Sequence, residues 1–296
     1  MKKGTWCGVG ACVAWGLFPV YWKQLVDVPG LQLVSHRFIW SFVMLVGLVA
    51  VTGERASLGR ALRGSRRLLA IPTAAVLIGI NWFTFLWAVE AGFIVEASLG
   101  YFITPLVNVG LGVLLLGERL RPTQWVAIGL AVSGVSYLTF VHGSLPAVAL
   151  VLAFTFGIYG LIKKTAPLGA LHGLTAETGV LVIPAIGYLI YAVRAGDGVF
   201  LQQGTAQDVL LVSTGLVTIV PLLLFAWAVR RIPLSLMGIL QYIAPTLQFI
   251  VGVMLYEEPF SSAQLVGFSL VWMALVLFGV EGVIAHRPQP VSATIE

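Results

Sequence analysis

The chain has 296 residues, 59% of them hydrophobic and only 10% charged, with a mean hydropathy of +0.98. A soluble domain carries about 25% charged residues, so a water-soluble fold of this length is excluded and a polytopic membrane protein is expected. The net charge of +5 and the pI near 9.4 do not point to nucleic acid. Most basic residues sit in short clusters between apolar runs, as membrane-flanking charges do.

About ten apolar runs follow one another, each near the ~20 residues that cross hydrocarbon. They are Thr5–Tyr21, Leu33–Val51, Leu69–Val89, Ile94–Leu116, Trp125–Val141, Leu145–Ile162, Leu174–Val193, Val209–Val229, Leu234–Tyr256 and Ala263–Ile284. Met1-Lys2-Lys3 before the first run resembles a signal peptide. The run is too long for that, and no small-residue cleavage site closes it, so a retained transmembrane helix is expected. Cys7 and Cys12 lie inside it without partners elsewhere, which suggests neither a disulfide framework nor a zinc site. The connections are short, and residues 287–296 read as a disordered cytoplasmic tail.

Placing the N-terminus in the cytoplasm puts Arg55, Arg60, Arg63, Arg66, Arg67, Arg119, Arg121, Lys163, Lys164, Arg230 and Arg231 on the inside. Only Lys23 and Arg194 fall on the far side, so the charge asymmetry predicts that both termini are cytoplasmic.

The fourth and ninth runs repeat one pattern at a constant offset of 140 residues. Ile103, Pro105, Asn108, Gly112, Glu118 and Gln124 answer to Ile243, Pro245, Gln248, Gly252, Glu258 and Gln264, and Phe85-x-Trp87-Ala88-Val89 answers to Phe225-x-Trp227-Ala228-Val229. Matched polar residues inside apolar runs argue for an internal repeat: residues 1–141 as a first five-helix unit and 142–286 as a second. Five is odd, so the second copy enters the membrane inverted. The expected fold is therefore all-α, ten transmembrane helices in an inverted five-plus-five repeat, an arrangement that suits a transporter.

In the fourth run Ser98, Tyr101, Pro105, Asn108 and Gly112 share one helical face; in the ninth, Gln241, Pro245, Gln248 and Gly252 share the matching one. An internal proline kinks a helix and releases a carbonyl, so Pro105 and Pro245 are read as kink residues. Polar groups at this depth must face protein or water. Either both faces line a central cavity, or the amides only bond neighbouring helices.

Arg37 and Glu177 lie 140 apart, near the starts of the second and seventh runs, with opposite charges. Intramembrane ionisable groups are costly and often functional: Arg37 could bind an anionic group, Glu177 a proton or an amine. The alternative is interfacial, with both side chains reaching to water. Among the aromatic residues Trp15, Tyr21, Trp82, Tyr101, Tyr159 and Tyr242 are candidates to wall a cavity; lipid-facing packing is the alternative for each. Glu118 and Glu258 read as solvent-facing helix ends. The four histidines show no metal-ligand spacing, and neither a P-loop nor a Gly-x-Ser-x-Gly elbow occurs, so no metal, cofactor or enzymatic role is expected.

The run Asn81-Trp82 … Trp87-Ala88-Val89 followed by Glu96-Ala97-Ser98-Leu99-Gly100-Tyr101-Phe102-Ile103-Thr104-Pro105-Leu106-Val107-Asn108-Val109 resembles the RarD branch of EamA-type transporters, in the drug/metabolite transporter superfamily. Gln241-Tyr242-Ile243-Ala244-Pro245-Thr246 and Ser35-His36-Arg37 are similar to the branch's second-half and second-span motifs. Relatives often carry Asn-Pro where this chain has Thr104-Pro105. The resemblance covers essentially the whole chain. It implies ten helices, an inverted repeat, a bacterial inner membrane and export of small organic molecules, and it adds Asn81 to the expected cavity lining. The expected function is a secondary transporter working by alternating access, coupled to protons or another ion, with small-molecule substrate and membrane lipids as its partners and no nucleic acid. The rival is a membrane enzyme acting on lipid-linked substrates, which would want carboxylates or histidines gathered at one interface.

Overall fold

The computed structural model describes residues 2–54, 65–91, 93–142, 147–257 and 262–285, and every regular element among them is helical. Glu258, the basic positions Arg55, Arg60 and Arg63, and the tail 287–296 lie outside the described residues. The helices are α1 (Lys2–Gly16), α2 (Phe18–Trp22), α3 (Gly30–Val51), α4 (Ser65–Glu90), α5 (Ile94–Leu116), α6 (Pro122–His142), α7 (Ala147–Thr165), α8 (Ala170–Ala195), α9 (Thr205–Val229), α10 (Leu234–Gln241), α11 (Ile243–Leu255) and α12 (Ser262–Ala285). Helix is the form that lets each backbone group pair within its own segment where no water is at hand. Left-handed glycines end two of them, Gly117 after α5 (φ +64) and Gly196 after α8 (φ +84).

Eight stretches among the described residues are long and apolar enough to cross a bilayer, from Gly30–Val51 to Leu234–Leu255. Val51, Leu114 and Phe140 are 88, 82 and 86% exposed, a surface suited to lipid and not to water. The chain is an integral membrane protein. Besides the ninth span, which is interrupted at Tyr242, the first and last of the ten expected spans differ from the sequence reading. The first divides, because α1 stops at Gly16 and α2 begins at Phe18 with Pro19 in its first turn. Pro19 has no N–H to give the Trp15 carbonyl, and its ring crowds that carbonyl. Gln248 takes the freed place, its Nε2 donating to Trp15 O at 3.1 Å. The last, in α12, counts only Leu265–Glu281 as a shorter apolar helix.

The chain forms two compact units. The larger takes Met1–Glu118 and Leu145–Pro259. In it α1 packs on α9, α10 and α11; α3 on α8 and α9; α4 on α7 and α8; and α5 on α7 and α10. Its core gathers Ala11, Cys12, Leu45, Tyr159, Phe225, Leu234 and Met237. Close approach depends on glycine at the α5–α10 seam, where a Cβ on Gly238 would lie 2.6 Å from the Pro105 carbonyl oxygen. The smaller unit takes Arg119–Ser144 and Phe260–Glu296, and packs α6 on α12. There a Cβ on Gly134 would meet the Gly267 carbonyl at 2.9 Å. Arg121 pairs with Glu281 at 2.7 Å, and Gln124 Nε2 donates to the same carboxylate at 3.1 Å.

Candidate functional site

Helices of the larger unit enclose a cavity of about 270 Å³. The broken first span gives it Trp15, Phe18, Pro19 and Trp22. From α3 comes Arg37; from α4, Asn81, Trp82 and Phe85; from α5, Ser98, Tyr101 and Thr104. Leu152 and Phe156 of α7 and Leu222 of α9 supply apolar wall, and the ninth span adds Gln241, Ala244, Pro245 and Gln248.

The walls are tied by side-chain bonds. Asn81 Nδ2 donates to Leu152 O at 2.8 Å and to Thr155 Oγ1 at 2.9 Å, fixing α4 to α7. Trp15 meets Phe156 edge-on at 5.6 Å between centroids and Phe225 at 5.5 Å. Trp82 stacks on Phe38 at 5.2 Å. The Arg37 guanidinium lies 3.9 Å from the Trp82 ring and 4.6 Å from the Trp22 ring, and its Nε donates to Thr218 Oγ1 at 3.2 Å. A cation over ring faces is attracted by their negative quadrupole.

Of the residues read from the sequence, Trp15, Arg37, Asn81, Trp82, Tyr101, Gln241, Pro245 and Gln248 line this cavity. Asn108 stands just behind it, fully buried, donating from Nδ2 to Gln241 Oε1 at 2.5 Å. Tyr242 donates to Phe102 O at 3.1 Å, a bond between two positions 140 apart. Tyr21 points elsewhere, donating to Leu210 O at 2.6 Å with Ser213 Oγ at 2.7 Å. The two prolines behave differently. The ninth span breaks between α10 and α11 at Tyr242, one residue past Gln241, whose carbonyl Pro245 cannot serve, whereas α5 continues through Pro105.

Glu177 and Tyr159 belong to a second place. Lys163 Nζ lies 2.7 and 2.9 Å from the two Glu177 oxygens, and Tyr159 donates to Oε2 at 3.3 Å. Lys163 and Glu177 side chains are 6 and 4% exposed, so this ion pair is buried. Nearby, Arg230 donates to Ala166 O at 2.8 Å and to Leu168 O, closing the α7–α8 turn. Lys164 donates to Val229 O and Ile232 O at 3.0 and 2.6 Å. Glu118, read from the sequence as solvent-facing, instead accepts from Leu234 N at 2.6 Å, Ser235 N at 2.9 Å and Ser235 Oγ at 2.7 Å, with Lys164 at 3.7 Å. A carboxylate suits the N-terminus of α10, where backbone N–H groups lack helical partners.

The sequence reading missed Lys163 as a buried partner, Glu118 as a half-buried one, and Phe85, Phe156 and Thr218 around the cavity. Lys163 had one signal: it sits 140 residues after Lys23, so a repeat that pairs Arg37 with Glu177 also pairs these two lysines.

A membrane-embedded helical bundle around a mixed aromatic and polar chamber is the build of a small-solute transport protein. Comparison with known proteins narrows this. Residues 2–140 match the EamA-like transporter family. An uncharacterized transporter YojE of Bacillus subtilis is 45% identical over 94% of this chain and 93% of its own length. Protein RarD of Streptomyces exfoliatus is 44% identical over 93 and 88%. A chloramphenicol-sensitive protein RarD of Pseudomonas aeruginosa is 30% identical over 97% of each. A chain of known crystal structure superposes with a TM-score of 0.72 over 96% of this chain and 99% of its own; at 18% identity it speaks for the fold alone. The chain belongs to the RarD branch of the EamA-like transporters, within the drug/metabolite transporter superfamily, and is a membrane transporter.

Proposed function

We propose that this protein exports small organic metabolites or drugs across the bacterial inner membrane by alternating access, driven by protons, with the aromatic cavity as its substrate site. The observation that carries the reading is the pairing of a partly open, partly polar chamber with a separate buried ion pair in the same helical unit. Both termini are cytoplasmic in this reading, following the excess of basic residues in the connections assigned to that side.

The reading includes an inverted repeat of residues 1–141 and 142–286. Its support is in the packing. The 140-residue offset exchanges α1 with α7, α3 with α8, α4 with α9, and α5 with α10–α11. Under that exchange α1 on α9 becomes α7 on α4, α3 on α9 becomes α8 on α4, and α1 on α10 and α11 becomes α7 on α5, all of them packed pairs. The Tyr242–Phe102 bond joins equivalent positions, as a contact on a two-fold axis would. Two related halves give two related states, one open to each side.

Coupling runs through Glu177. A proton on its carboxylate cancels the attraction for Lys163, loosening the joint between α7 and α8. Lys163, Tyr159 and the nearby Arg230 are the groups that such a proton would meet. The test compares culture medium from cells overexpressing the protein, cells lacking it, and cells carrying Glu177→Gln. The exporter should enrich at least one small organic solute outside, a protonophore should remove the enrichment, and Glu177→Gln should remove its dependence on the proton gradient. Identical media from overexpressing and deleted cells would sink the reading; enrichment indifferent to the protonophore would sink the coupling.

A further inference from the structure

Arg37 is the only charged residue lining the cavity among the described residues, and no ion pair is formed by it among them. Its described partners are the Trp22 and Trp82 rings and a hydroxyl, Thr218 Oγ1, engaged by Nε alone. A guanidinium has five N–H donors, so most of this group's capacity remains for a solute. Part of its surface is open. A cation held at membrane depth without a counter-ion is costly, and such groups mark the paths of ions and substrates.

The surroundings add neutral polar groups and, among the described residues, no carboxylate. Gln241 Oε1 is engaged by Asn108, which leaves the Nε2 donor of Gln241 without a protein partner among the described residues. Around these two groups the wall is flat and apolar: Trp15, Trp82, Phe85 and Phe156. The chamber of about 270 Å³ suits one small molecule.

We propose that the transported substrate is an organic anion with a flat apolar body, its carboxylate or similar head held by the Arg37 guanidinium and its body lying among the tryptophan and phenylalanine rings. The inference rests on the cavity being the substrate site. Guanidinium binds a carboxylate through two parallel N–H bonds, which gives direction as well as charge. Stacking between two tryptophans holds the fork in place before the anion arrives.

The experiment uses the full chain in lipid nanodiscs, with Cys7→Ser and Cys12→Ala and one new thiol, Ser98→Cys, at an exposed cavity position. Two methanethiosulfonates are compared, one with a sulfonate and one with a trimethylammonium group. Relative to a free thiol, the anionic reagent should react about tenfold faster than the cationic one, as a positive cleft raises the local concentration of anions. Arg37→Gln should erase that preference and Arg37→Lys should keep it. In the same protein 4-phenylbutyrate should slow labelling, while its neutral amide should not. A preference unchanged by Arg37→Gln, or equal protection by the amide, overturns the anionic substrate and leaves the cavity standing. A folded protein whose Ser98→Cys thiol meets neither reagent overturns the cavity, and this inference with it.

Discussion

Arg37 and Glu177 lie 140 residues apart in the sequence, yet the molecule treats their charges in opposite ways. Glu177 is neutralised inside protein: Lys163 grips both oxygens and Tyr159 adds a hydroxyl. Arg37 has no such partner among the described residues and borders an open chamber. The small pocket beside Glu177 has only about 10 Å³ of room, against about 270 Å³ beside Arg37. Packing around Glu177 is therefore set by its protein partners, while packing around Arg37 leaves a roomy chamber. One charge is closed off by protein partners and the other borders a chamber.

The sharpest way to break that contrast is to remove one partner at each place. Lys163→Met leaves a carboxylate buried without compensation, which costs about 3–5 kcal/mol in stability. Removing both charges, Lys163→Met with Glu177→Leu, should recover most of that loss, since a buried pair is often no better than packed apolar groups. Arg37→Met strands no opposite charge, so it should be near neutral. Thermal unfolding in detergent checks all three; equal losses for Lys163→Met and Arg37→Met would erase the distinction.

The sequence made the membrane class and helical nature of the chain legible because hydropathy is additive along a run. The cavity wall was partly legible for the same local reason: Tyr101 and Ser98 step round one face of α5, and Gln241, Pro245 and Gln248 round one face of the ninth span. What resisted reading were partners distant in sequence. Lys163 looked like a membrane-flanking charge, since nothing in a linear run says that the α7–α8 turn folds it back onto Glu177. Glu118 looked like a solvated helix end because its partners, Leu234 N and Ser235 N, lie 116 and 117 residues away. The break in the first span went unread: Pro19 marks it, but α1 and α2 together read as one apolar run. Tyr21 was assigned to the cavity only as one of the aromatic residues of the first run, and residue type does not say which way a side chain turns.

An intermediate effect is expected where the two regions share a seam. Gly238 of α10 faces the Pro105 carbonyl, and its would-be Cβ also falls 3.1 Å from Asn108 Cβ. Gly238→Ala must push α5 and α10 apart, with a cost of about 1–3 kcal/mol for overpacking. Because Asn108 holds Gln241 at the cavity wall, the same change should also alter the labelling of Ser98→Cys. Gly110→Ala, in the same α5 with nothing within 4 Å of its Cβ, is the control and should be neutral or slightly stabilising. Comparable losses of melting temperature in the two variants would show that helix propensity, and not the seam, sets the effect.

The smallest effect concerns what keeps the Glu177 region closed. Glu118 receives the first N–H groups of α10 and lies near Lys164, so it joins the ends of α5, α7 and α10. Glu118→Gln keeps the shape and one acceptor oxygen but removes the charge. A charge at a helix N-terminus is worth about 0.3–1 kcal/mol, so melting should shift by a few degrees at most. Access should respond more clearly. Ala226 is 1% exposed and borders the small pocket beside Glu177. In the cysteine-free background, an Ala226→Cys thiol should be almost inert to a water-soluble reagent, and Glu118→Gln should raise its labelling about two- to fivefold, the factor that 0.3–1 kcal/mol implies. The Ser98→Cys rate should not rise in step, because among the described residues nothing that borders the Arg37 chamber is bound to Glu118. If both thiols speed up together, the two regions open as one body, and the division between a closed joint and an open chamber fails.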